Sequence, residues 1–88
     1  MKKGKTESGF KWEVDENVFD DMELIDAMAA AMGEDPTQIS TVVSKIFGAD
    51  QKKRLYDHVR SENGRVSIQP VADIITEIMV SIGNEGKN

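Results

Sequence analysis

His58 is the only histidine in the chain, and there is no cysteine, so few side chains could support covalent or metal chemistry. A general base needs a nucleophile beside it, and a zinc site needs further His or Cys ligands. No such motif surrounds His58, and neither glycine-rich phosphate-binding motif is present. The sequence therefore predicts a surface or half-buried His58 in a protein that is not an enzyme and has no cofactor.

The acidic residues are concentrated between Glu13 and Asp35, where nine acids occur without a base. Asp15 and Asn17 have the spacing of two calcium ligands in an EF-hand loop, but position 20 is Asp where that loop requires Gly. We expect the acids to cap helices and to form a solvated face, so no metal site is predicted.

A basic segment, residues 51–60, follows Gly48 and contains Lys52, Lys53 and Arg54. A helix, a glycine turn and a basic helix suggest a helix-turn-helix DNA-binding protein as one alternative. The formal net charge of the whole chain is -5, and the acidic block would repel a phosphate backbone. We therefore predict that nucleic acid is not the partner.

The elements that position these residues are four short helices, each marked by apolar residues at helical spacing. Their starts and ends carry typical capping residues. The helices begin near Asp20, Asp35, Asp50 and either Ser67 or Gln69, and they end at Gly33, Gly48, Gly64 and Gly83. A short strand over residues 10–14 precedes them, because aromatic and charged residues alternate there. The predicted fold is all-α, a small bundle of about four short helices with an N-terminal extended strand.

The predicted domain organisation is a flexible start over residues 1–9, one helical domain over residues 10–82 and a polar tail over residues 83–88. The strand has no second strand to pair with in this prediction. No apolar run approaches the roughly 20 residues that span a bilayer, so we predict no contact with a membrane. The predicted location of the protein is a reducing cytoplasm.

Aromatic and methionine side chains are the candidate contacts with a partner protein. The aromatic residues at the start either pack over the helices as a lid or reach a neighbouring subunit, since Trp is enriched at interface hot spots. The methionines of the first helix either fill the core or form an adaptable binding groove. The predicted interaction residues are Phe10, Trp12, Val14, Phe19, Met28 and Met32.

Several segments follow one another in a distinctive order. An aromatic strand, FKWEV, precedes an acidic helix start, DDMELIDAM, and a helix ending in IFG precedes DQKKRLYDH. The segment NGRVSIQPVADIITEIM, a turn and then an amphipathic helix, completes the pattern. This ordered combination, over residues 10–82, resembles the small tail assembly chaperones of long-tailed phages that infect Gram-positive hosts.

The resemblance implies a binding protein that coats the tape measure protein, keeps it soluble and recruits major tail protein during tail morphogenesis. It also implies a homo-oligomer in the host cytoplasm that is absent from the mature virion. A generic acidic helical adaptor or inhibitor is the first alternative to this function, and the DNA-binding protein that uses residues 51–60 is the second.

Overall fold

A computed structural model describes residues 1–85 of the chain, so the last three residues of the predicted polar tail lie outside the described part. The element order is strand, strand, 3-10 turn and three helices. Within residues 1–85, no helix has an apolar stretch of the length that a bilayer crossing requires.

The chain begins with an antiparallel hairpin of β1 (Lys2–Lys5) and β2 (Lys11–Val14). A turn closed by Thr6 joins the strands, because the Thr6 amide donates to the Phe10 carbonyl at 2.9 Å. The strand predicted over residues 10–14 is thus present, but two expectations about it were wrong. Residues 1–9 are not merely a flexible start, and β2 has a partner strand within its own chain.

The first helix, α1 (Met22–Met32), follows a 3-10 turn at Glu16–Phe19. Asp21 caps α1, because its carboxylate accepts hydrogen bonds from the Glu23 and Leu24 amides at 2.9 and 3.4 Å. The cap is therefore one residue later than the predicted Asp20.

The second helix, α2 (Gln38–Val59), spans both the second and the third predicted helices. Gly48 interrupts it with φ 74° and ψ 173°, a conformation that residues with a Cβ rarely adopt. Residues 1–85 therefore form three helices rather than the predicted four. Gly48 does leave the helical conformation, as its type suggests, but the chain resumes helical turns at once.

The third helix, α3 (Ile68–Glu85), continues past Gly83, the residue predicted to end it. It is reached through a turn at Gly64, which has φ 87°, and an isolated bridge between Arg60 and Val66. Residues 83–85, predicted to belong to the tail, are therefore the last residues of α3.

The core lies between the hairpin and the three helices. Val14, Leu24, Val43, Leu55 and Ile78 are at most 1% exposed, so every helix and β2 contribute to it. Phe10 and Phe47 meet edge to face, with ring centroids 6.2 Å apart. The hairpin is thus part of the hydrophobic core of the single chain.

Candidate protein-interaction surface

The three apolar residues of the predicted strand region are core residues in the structure. Phe10, Trp12 and Val14 are 3%, 4% and 1% exposed, so they do not form a surface that faces a partner. The prediction that they contact another protein is corrected here, because pairing with β1 turns this side of β2 onto the helices. Phe19 is partly buried against the same core.

The two predicted methionines lie together on one surface. Met28 is half-buried at the edge of the core, and Met32, the last residue of α1, is 89% exposed. Both line an apolar groove between the helices, with a cavity volume of about 80 Å³. Of the six residues proposed from the sequence, these two are the ones brought together in a candidate binding site.

The apolar groove exists because α1 and α3 each pack mainly on α2 rather than on each other. The two outer helices form its walls, and α2 forms its floor. Its lining is apolar except for one hydroxyl group, and it consists of Met28, Ala31 and Met32 of α1, Ile39 and Val42 of α2, and Ala72, Ile75, Thr76 and Met79 of α3. No charged side chain is among these residues.

The outer side of α1 extends this apolar surface away from the groove. Met22, Ile25, Ala29 and Met32 recur at spacings of three and four residues, which places them along one stripe of the helix. Met22 and Ile25 are 70% and 42% exposed. A small domain rarely leaves several large apolar side chains adjacent and uncovered, so this side of the molecule is suited to a protein contact.

Sequence reasoning missed the side of the groove that α3 contributes. The apolar residues of the last helix were recognised from their helical spacing, but none of them was named as an interaction residue. In the structure Ile78 is buried while Met79 is partly exposed and Val80 is 56% exposed. The apolar stripe of α3 is wider than the side of the helix that the core can cover. That width was the signal in the sequence that could have indicated a second contact surface.

The basic residues of the DNA-binding alternative are largely engaged within the chain. Lys52 donates from Nζ to the hydroxyl groups of Ser40 and Ser44, at 3.1 and 2.8 Å. Lys53 is 4.0 Å from a carboxylate oxygen of Asp57. Because Lys52 and Lys53 make these contacts within the chain, they do not form a set of free cationic side chains for the phosphate backbone of DNA. The structure therefore does not support the DNA-binding alternative.

His58 has a partner that the sequence did not suggest. Its Nε2 lies 3.1 Å from the Ser8 hydroxyl, which is itself 3.0 Å from the Thr6 hydroxyl. The ring of His58 also lies against Phe10, with centroids 5.5 Å apart. We interpret this polar chain as an attachment of the hairpin turn to α2, since it joins residues 50 positions apart in the sequence.

Asp15 and Asp35, two acids of the acidic segment, accept hydrogen bonds from residues just after them in the chain. The Asp15 carboxylate accepts a hydrogen bond from the Asn17 amide at 2.9 Å, at the start of the 3-10 turn. Asp35 accepts hydrogen bonds from the Thr37 amide and from the Gln38 side-chain amide, at 3.2 and 3.1 Å. Within residues 1–85, no group of three or more His, Asp or Glu side chains is placed to hold a metal ion.

Comparison with protein-family models finds no matching family, and comparisons with curated proteins and with solved structures find no significant match. The apolar groove and the distribution of exposed charges are therefore the features from which a function can be inferred.

Proposed function

We propose that this chain is a phage tail assembly chaperone, a non-enzymatic binding protein that holds an apolar helical segment of the tape measure protein in its groove. The groove between α1 and α3 is the observation that carries the proposal, because it is open, apolar and without a charged lining residue. A channel with two helical walls and a helical floor suits the apolar face of an amphipathic helix.

The lining chemistry favours a long partner that presents many different segments. Met28, Met32 and Met79 are unbranched and adaptable, so they can pack against side chains of different shape. Ala31 and Ala72 are small and let a partner backbone approach closely. A tape measure protein, which the sequence resemblance implies as the partner, is long and helical and has apolar surface to shield.

Coating is the mechanism that follows from such a groove. Each copy would cover one apolar segment of the tape measure protein and thereby keep it soluble in the host cytoplasm until major tail protein is recruited. The copies would then leave, so the chain would be absent from the mature virion.

The direct test is co-expression with the tape measure protein of the same phage, followed by affinity capture. The substitution Ala31→Phe fills the groove without adding a charge, and Ala49→Phe places the same ring at an exposed position of α2 that does not line the groove. Because each blocked anchor side chain contributes roughly 1.5–3 kcal/mol, we expect Ala31→Phe to weaken binding about tenfold or more. Ala49→Phe is the matched control and should bind like the natural chain.

Equal capture by both variants would show that the groove is not the binding site. Circular dichroism must first show that both variants keep their helix content. If the chain captures unrelated amphipathic helices as well as it captures the tape measure protein, the generic helical adaptor becomes the better description. A tape measure gene directly downstream of this gene, with a major tail protein gene upstream, would favour the chaperone.

A further inference from the structure

The charged residues near the apolar groove in sequence all have one sign. Every residue that lines the groove lies in one of two stretches of sequence, residues 12–44 and 66–86, and neither stretch contains a Lys, Arg or His. The same two stretches contain nine acids and three acids, respectively. The two walls of the groove, α1 and α3, therefore carry acidic side chains without a single basic one.

Two of these acids lie beside lining residues, one for each wall. Asp73 is the residue after Ala72 in α3, and Glu34 is two residues beyond Met32, at the end of α1 that the helix dipole makes negative. Both acids are exposed, and neither forms an ion pair with a cation among residues 1–85. The walls therefore bear negative charge that this part of the chain does not neutralise.

Two lysines of α2 make their contacts outside the groove. The Nζ of Lys45 is 3.7 Å from a carboxylate oxygen of Asp21. The Nζ of Lys52 donates to the hydroxyl groups of Ser40 and Ser44. Neither lysine lines the groove. The groove thus offers carboxylates, and not cations, to the edges of whatever it holds.

The exposed apolar residues beside the groove suit long cationic side chains as well. Met32 and Val80 are 89% and 56% exposed. Lys and Arg can pack their apolar stems along such residues and still place the charged group at the end in water. That charged group can then face a wall carboxylate, so a Lys or Arg at the edge of the partner makes both contacts at once.

We propose that the segment held in the groove is a basic amphipathic helix, with one apolar stripe and with Lys or Arg on both sides of that stripe. This inference rests on the proposed function, since it names the chemistry of the helix that the groove holds. The apolar stripe covers Met28, Met32 and Met79, and the flanking cations lie over α1 and α3. An acidic helix with the same stripe is rejected, because like charges are brought together at both walls.

Model helices of about 18 residues test the charge preference, because peptides of this length can be helical on their own. Three peptides share one leucine stripe and differ only at the flanking positions, which are all Lys, all Gln or all Glu. Fluorescence anisotropy should show that the Lys peptide binds about tenfold or more tighter than the Glu peptide, with the Gln peptide between them. The difference should shrink as salt is raised, since exposed charges are screened.

Neutral variants of the chain test the walls themselves. Glu34→Gln with Asp73→Asn keeps the side-chain shapes, and we expect it to weaken binding of the Lys peptide about threefold or more without affecting the Gln peptide. The matched control is Asp50→Asn with Glu62→Gln, which removes two charges at exposed sites outside both walls. The control should bind the Lys peptide like the natural chain, and circular dichroism should show that both variants are folded.

The outcomes separate this inference from the proposed function. Equal binding of the three peptides, blocked by Ala31→Phe, would overturn the preference for cations but would leave the groove as a helix-binding site. A Lys peptide of the same composition with its leucines spread around the helix should not bind, and equal binding of it would overturn the amphipathic helix as the occupant. A chain that binds none of the peptides would overturn the inference, whereas capture of the tape measure protein would still test the groove. Self-association that Ala31→Phe abolishes, without peptide binding, would assign the groove to a second copy instead.

Discussion

Gly4→Ala is predicted to destabilise the fold because the indole of Trp12 lies against the backbone of β1 at this position. A Cβ built on Gly4 would lie 2.6 Å from Cζ2 and 2.8 Å from Cε2 of Trp12. Non-bonded carbon atoms are normally about 3.5–4.0 Å apart, so the ring would have to retreat by about 1 Å. Trp12 is 4% exposed and packed on its other side, which leaves it little space to do so.

The size of the effect follows from these distances. Overfilling a packed core typically costs about 1–3 kcal/mol, and the lower chain entropy of Ala offsets about 0.4–1 kcal/mol. A net loss of roughly 1–2 kcal/mol should lower the midpoint of thermal unfolding by roughly 5–15 °C in a domain of this size.

Urea and thermal unfolding monitored by tryptophan fluorescence would measure the loss of stability in Gly4→Ala, since Trp12 is the only tryptophan. A displaced indole should also shift the emission of the folded protein to longer wavelength. Gly83→Ala is the matched control, because among the described residues no atom outside the neighbouring turns of its own helix lies within 4 Å of the Cβ it would add. In α3 the same change should stabilise the protein by up to about 1 kcal/mol. Unchanged stability and emission for Gly4→Ala would refute the placement of the ring over Gly4.

Three further substitutions and conditions have expected outcomes. Gly48→Ala should lower the free energy of unfolding by about 1–3 kcal/mol in urea denaturation, because φ 74° and ψ 173° are strained for any residue with a Cβ. An unchanged midpoint of urea unfolding would contradict this prediction. Leu55→Ala removes a fully buried side chain and should lower the free energy of unfolding by about 2–5 kcal/mol. Circular dichroism should therefore show a largely unfolded chain near 37 °C. A cooperative melt well above that temperature would contradict this prediction. Hydrogen bonds from Thr37 and then from Gln38 lower the pKa of Asp35 below its usual value. The stabilisation from Asp35 should therefore be present above the unfolded-state pKa and be lost as pH falls through the lower folded-state pKa. In acid titrations of stability, the free energy of unfolding of Asp35→Asn should fall less than that of the natural chain.

The helical part of the fold follows closely from the sequence, because its signals are local. Asp35 correctly indicated where α2 begins, to within a turn, and apolar residues at helical spacing correctly indicated a helix in the region of α3. The helix count was wrong because Gly48 is compatible both with a stop and with a kink. Only the packing of the two halves of α2 on the core decides between these outcomes.

The hairpin could not be predicted in full because β1 has no strand signal of its own. Lys2–Lys5 contains three lysines and a glycine, which are poor strand formers. It pairs because Gly4 lacks a side chain and can lie opposite the large ring of Trp12. That complementarity depends on the register between two segments, so neither segment shows it when considered separately.

The candidate site was predicted in part, for a similar reason. Met28 and Met32 were identified from the composition of one helix, whereas Ala72, Thr76 and Met79 line the groove only because α3 is held away from α1. The spacing between two helices is a tertiary property. The sequence could indicate that α1 has more apolar surface than it can bury, but not which helix would stand opposite.

The break at Gly48 has a geometric consequence for the groove. Ile39 and Val42 of the groove floor lie before Gly48, whereas Gln51 and Arg54, which hold the hairpin, lie after it. The angle of the kink therefore sets the direction of the groove relative to the hairpin. The dihedral angles of one glycine would thus determine how a helix bound in the groove is oriented with respect to the N-terminal strands.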